Sequence, residues 1–161
     1  MPRSSNQKLK PLYLARILLE RTDENNVLTA QELVNALNAY GIESGRKAIY
    51  DDIETLQQYG LDIENRKGKD GGYYIASRDF ELPELKLLVD AVQSSRFIPA
   101  KKSEELIGKL SKLASGSQAK ELKRQVYVAG RAKTLNKTVY YSIDAIQTAI
   151  GYFANLVHAP V

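Results

Sequence analysis

The stretch between Thr29 and Ile75 constrains the fold most, because its caps and turns leave room for two short helices and a hairpin and little else. Thr29-Ala30-Gln31-Glu32 has the form of a capping box, the threonine side chain accepting from the backbone three residues on while Glu32 reaches back. This predicts a helix over about Ala30 to Tyr40 that buries Leu33, Val34 and Leu37, stopped by Gly41 in a left-handed conformation. Ser44 then suits the N-cap of a further helix running to about Tyr59, with Ile49, Ile53 and Leu56 inward and Arg46, Lys47, Tyr50, Asp51 and Glu54 outward. After Gly60, Leu61 to Asn65 alternates as a half-buried strand does, Lys67-Gly-Lys-Asp-Gly-Gly is turn chemistry, and Tyr73-Tyr-Ile returns as a second strand. Upstream, Lys8 to Arg21 predicts a first helix whose apolar face carries Leu9, Leu12, Tyr13, Ile17, Leu18 and Leu19, with Pro11 tolerated in its first turn.

Three helices followed by a hairpin is the layout of a winged helix-turn-helix, and residues 1–76 are assigned to it. Beyond Ser77 the periodicity is helical. Leu82-Pro83 opens a helix with Leu85, Leu88, Val89 and Val92 inward, and Phe97-Ile-Pro interrupts it. Ser103 to Leu113 predicts another helix, and Gly116-Ser117 ends that one and caps the next, over about Gln118 to Ala129. Thr138 to Ser142 reads as briefly extended, and Ile143 to about Val157 as a last helix. The expected fold class is therefore mainly α with a small β-hairpin: a winged helix-turn-helix followed by an α-helical bundle, residues 77–161 serving as connector and dimerisation region.

Composition narrows the chemistry. The chain has 161 residues, enough for one large or two small domains, and contains no cysteine and a single histidine, His158, which reads as a tail residue. Thiolate metal sites, disulfides and cysteine nucleophiles are excluded, and neither a metal nor a cofactor is expected. Asp51, Asp52 and Glu54 crowd one helical turn without a histidine or a glycine-rich loop nearby, so they read as solvated helix charges. The Lys67 to Gly72 turn lacks the ending of a nucleotide-binding loop. With no catalytic constellation, an enzyme is not expected. The N-terminus has no signal-peptide core and no window reaches a membrane span, so a cytoplasmic protein is expected.

The formal net charge is +4, but it is unevenly spread. Residues 1–76 hold 10 Lys or Arg against 11 Asp or Glu, whereas residues 101–137 hold 10 against 3. Charge alone would place a polyanion-binding surface in that later run, where helices of this composition are also simply soluble. Groove recognition asks instead for a stiff element with cations at its leading turn. Ser44-Gly-Arg-Lys offers one: Ser44 opens the helix, Arg46 is the candidate base contact with Lys47 beside it, Tyr50 lies one turn on, and Asp51 suits a cytosine amino group or an arginine. Thr29 and Gln31 are candidates for backbone phosphate, and Arg66, Lys67 and Lys69 for contacts from the hairpin tip. The plainer reading of Arg46 and Lys47 is that of solvated cations on a surface helix. Of the adjacent Tyr73 and Tyr74, one is expected to face the core and the other outward. The near-neutral charge of residues 1–76 implies few phosphate contacts per copy and so favours a homodimer.

Arg46-Lys-Ala-Ile-Tyr-Asp-Asp-Ile-Glu-Thr-Leu, Tyr59-Gly-Leu-Asp-Ile and Gly71-Gly-Tyr-Tyr-Ile resemble the N-terminal winged helix-turn-helix of bacterial WYL-domain transcriptional regulators. Phe80-Glu-Leu-Pro-Glu-Leu-Lys-Leu-Leu-Val-Asp-Ala-Val-Gln-Ser-Ser and Tyr140-Tyr-Ser-Ile-Asp-Ala-Ile-Gln-Thr-Ala-Ile resemble the helical connector that follows it. The resemblance implies sequence-specific binding of double-stranded DNA by a homodimer. It puts Arg46, Lys47 and Tyr50 on the recognition helix and Arg66 to Lys69 on the wing. Asp51 stands where relatives often carry arginine, so no phosphate contact carries over to it. After Ile150 the sequence departs from the family, and no Trp-Tyr-Leu motif is present, so a truncated regulator without its sensor domain is expected, its effector unknown. The rival expectation is a winged-helix protein-interaction module that does not bind DNA.

Overall fold

The computed structural model describes residues 7–126, 141–143 and 145–150. It is mainly helical with one small antiparallel sheet: α1 (Lys10–Arg21), α2 (Ala30–Asn38), α3 (Arg46–Tyr59), β1 (Ile63–Arg66), β2 (Gly72–Ile75), α4 (Leu82–Ser94), α5 (Ala100–Leu110) and α6 (Gly116–Val126). Residues 141–143 and 145–150 are helical as well, which corrects the extended reading of Tyr141 and Ser142. The expectations for residues 127–140 and 151–161, including His158 and the ends of the last two helices, lie outside the described residues.

Local chemistry explains most boundaries. Thr29 caps α2 through the expected box: Glu32 N–H donates to the Thr29 hydroxyl at 3.2 Å, and Thr29 N–H donates to the Glu32 carboxylate at 2.8 Å. Gly41 takes the left-handed φ of 72° just after α2, and Gly60 does so with φ of 113° at the end of α3. The N-cap of α3 is Gly45, not Ser44. Ser44 lies one residue too early to reach the first free N–H groups, and its hydroxyl turns to the Gly45 carbonyl instead. A similar shift occurs at α6, where the cap expected of Gly116-Ser117 falls on Ser115, which bonds reciprocally with Gln118. α5 starts at Ala100, just after Pro99, rather than at Ser103.

Leu14, Ile17, Leu18, Leu33, Leu37, Ile42, Ile49, Ile53, Leu56, Ile63 and Ile75 form one buried cluster between α1, α2, α3 and the sheet. Each such side chain contributes roughly 1.5–3 kcal/mol when fully buried. The apolar face of α1 is rotated from the expected one. Leu14 is fully buried while Leu9, Leu12 and Leu19 are exposed, Leu12 by 65%. A second cluster, Leu85, Val89, Ile107, Ala114 and Leu122, joins α4, α5 and α6, with Leu88 and Leu113 outside it.

β1 and β2 pair with Ile63 opposite Ile75 and Arg66 opposite Gly72. Leu28 joins them by an isolated bridge to Tyr73, with two backbone hydrogen bonds of 2.8 and 3.0 Å. The sheet is thereby tied to the entrance of α2. Lys10 on α1 meets Asp52 on α3 at 2.8 Å as an ion pair with both side chains largely buried. Asp52 is therefore a packed, paired group and not the solvated charge expected of it.

Candidate nucleic-acid interface

The first turns of α2 and α3 lie side by side. Arg46 Nε donates to Gln31 Oε1 at 2.9 Å, and Gln31 Nε2 donates to Asn35 Oδ1 at 3.2 Å, so three exposed side chains form one chain across the two helices. Arginine has no acceptor, which fixes the Gln31 amide with its oxygen toward Arg46. Arg46, Lys47, Tyr50, Asp51 and Glu54 are all exposed on the outward side of α3, and Ser44 is half-buried before it. The leading turn of α3 has no acidic residue and no side chain on its free N–H groups. That end of the helix carries the positive pole of the peptide dipoles.

Tyr50 connects this face to the sheet. Its ring lies 6.4 Å from that of Tyr73, centroid to centroid, tilted by 49°. Tyr73 packs partly against the core, whereas the Tyr74 hydroxyl donates to Glu64 at 2.7 Å. That bond, with a smaller effect of burial, raises the Tyr74 phenol above its ordinary value. Both rings are half-buried.

The remaining expected residues divide. Lys67 and Lys69 are exposed in the turn between the strands. Arg66 turns back, donating to the Glu24 carbonyl with its guanidinium 5.7 Å from the Tyr74 ring centroid. Thr29 is exposed, but its hydroxyl also donates to Glu32 at 2.8 Å as part of the cap. Bonds to Thr29, from its backbone and then its side chain, hold the Glu32 carboxyl below its usual range. Gln31 and Arg46 are brought into contact, and Tyr50 is placed against the hairpin.

Sequence reasoning missed Asn35, Lys10 and the contact of Tyr73 with Tyr50. Asn35 was signalled by its i, i+4 relation to Gln31. The Lys10–Asp52 and Tyr50–Tyr73 contacts join distant segments and had no local signal. Among the described residues, no group of three or more His, Asp or Glu is placed to hold a metal, and no helix is long and apolar enough to cross a membrane. Comparison of the chain with family models, curated proteins and solved structures finds no match.

Proposed function

We propose that the protein is a DNA-binding transcriptional regulator of WYL type, in which α2 and α3 form the helix-turn-helix of a winged domain over residues 1–76. The observation that carries this reading is the open outward face of α3, with Arg46, Lys47, Tyr50 and Asp51 exposed behind an uncapped helix N-terminus. A helix of that kind fits the major groove, where its cations and free N–H groups meet base edges and phosphate. Thr29 and Ser44 serve the flanking backbone, Gln31 is taken up by its contacts to Arg46 and Asn35, and Lys67 and Lys69 follow an adjacent phosphate strand as the wing. Arg66 braces the base of that wing from its position against Glu24 and Tyr74.

Residues 1–76 are nearly neutral, so one copy releases few counterions and binds weakly. A homodimer held through residues 77–161 doubles the contacts, and the basic run of residues 101–137 adds distant phosphate contacts or lines the dimer surface. Cytoplasmic action on the chromosome follows from this reading.

An electrophoretic shift with duplex DNA from upstream of its own reading frame tests the proposal. Arg46→Ala and Lys47→Ala are expected to lose about 1–3 kcal/mol per base contact. Lys67→Ala and Lys69→Ala should each reduce the salt slope by about one unit, weakening all sequences alike. Variants that bind every duplex as tightly as the parent would remove α3 from the interface. Salt-insensitive binding to a protein, with no affinity for duplex DNA, would favour the interaction-module reading.

A further inference from the structure

We infer that Gln31 is a positioning residue that aims the Arg46 guanidinium at a guanine, an inference that rests on the DNA-binding reading and specifies the base it recognises. The argument begins with donor geometry. A guanidinium carries five N–H donors, one on Nε and four on the two Nη atoms. In this protein Nε is engaged by Gln31 Oε1 at 2.9 Å, and Gln31 is itself braced by Asn35 at 3.2 Å. Arg46 and Gln31 are both exposed, so the paired Nη edge remains as the outward donor fork.

Two parallel donors need two adjacent acceptors. In the major groove guanine presents N7 and O6, both acceptors. Adenine sets a donor beside its N7, cytosine presents a donor, and thymine sets a methyl group beside its single acceptor. The fork is therefore matched by guanine and mismatched by the other three bases. An unbraced arginine at the same position would rotate about its side-chain bonds and reach phosphates and bases indiscriminately. Tethering Nε converts a mobile cation into an oriented one, because the energetic benefit of a bidentate contact depends on both bonds forming together. Gln31 thus acts through Arg46 without needing to touch a base.

The test is selection from a duplex library with a randomised core, read by sequencing, with unfolding midpoints measured for each variant. The parent is expected to enrich guanine at one position per half-site, by about tenfold or more over each other base. Arg46→Ala should abolish that enrichment. Gln31→Ala should flatten it severalfold while leaving non-specific duplex affinity and the salt slope near those of the parent. Gln31→Glu keeps an acceptor for Arg46 Nε–H, so it should restore the guanine preference while lowering overall affinity through repulsion of phosphate. In the free protein, hydrogen exchange at Arg46 Nε should be slower in the parent and in Gln31→Glu than in Gln31→Ala. Full guanine enrichment by Gln31→Ala, or equal exchange in all three proteins, would overturn the positioning role. Enrichment of another base at the Arg46-dependent position would overturn the guanine assignment and leave the DNA-binding reading standing. No retention of any duplex by the parent would overturn that reading and this inference with it.

Discussion

Two glycines show how differently one residue type constrains this molecule. Gly41 has a left-handed φ of 72° and open space where a Cβ would lie, so Gly41→Ala meets backbone strain alone, about 1–2 kcal/mol. A Cβ on Gly72 would instead lie 2.7 Å from both the carbonyl carbon and oxygen of Leu28. Those atoms belong to the backbone that pairs with Tyr73, and yielding there breaks the bridge. Gly72→Ala is expected to be the more damaging, by a total on the order of 3 kcal/mol, in urea unfolding compared at equal slope. The reverse order would show that the Leu28–Tyr73 pairing contributes little. Gly41 was legible because the requirement for it is local, set by the helix it stops. Gly72 was not, because what crowds it is a segment more than forty positions earlier in the chain. The same division separates the two carboxylates of α3. Asp51 was readable as exposed, whereas the partner of Asp52 is Lys10, a contact that no spacing rule announces.

At the scale of elements, the helices were legible in existence and order, and their ends were legible wherever a reciprocal cap exists. Thr29 and Glu32 identify one another, so the start of α2 was readable to the residue. Ser44 had no such reciprocal partner, and the true cap, Gly45, gives no side-chain signal at all. The face of α1 was misread because Leu9, Leu12, Leu14, Ile17, Leu18 and Leu19 cover more than half of the helix circumference, and tertiary packing chose among them. On the DNA-binding reading, the uncapped start of α3 sets stability against recognition. Gly45 has space for a side chain and no strained φ, so Gly45→Asp should add a cap and a favourable charge at the helix end. The expected gain is about 0.5 kcal/mol in denaturant unfolding. The same carboxylate would oppose phosphate, so duplex affinity should fall severalfold in a shift assay. A variant that is stabilised and binds DNA as tightly as the parent would show that the start of α3 lies away from the nucleic acid.

At the scale of the whole molecule, polar contacts just beyond the end of α1 tie the first three helices to α6. Asp23 is buried there, and its carboxylate accepts from the hydroxyls of Ser115 and Ser117 at the start of α6, from Asn26 Nδ2 and from Asn25 N–H. Burial alone would raise this carboxyl. The bonds from Ser115, Ser117, Asn26 and the Asn25 backbone outweigh it and lower the group from 3.8 to about 2. A folded state that binds its proton less readily than the unfolded chain is stabilised above about pH 4 and loses that stabilisation as pH falls toward 2. Acid unfolding of Asp23→Asn should therefore show a shallower fall in stability across that window than the parent, and parallel curves would assign the loss to other carboxyls. Arg78 completes the junction, donating to the carbonyls of Leu19 and Thr22 at 2.8 and 2.7 Å. Nothing in the sequence near Ser77 signalled this arrangement, since its partners are main-chain atoms and residues some ninety positions apart.

α1 also packs directly against α3 and is pinned to it by Lys10. A single rod of twelve residues is thus shared between the layer beneath α3 and the start of α6. The same twelve residues therefore lend a flank to each half, so cutting the chain after Ser77 would bare the surface that α6 now covers.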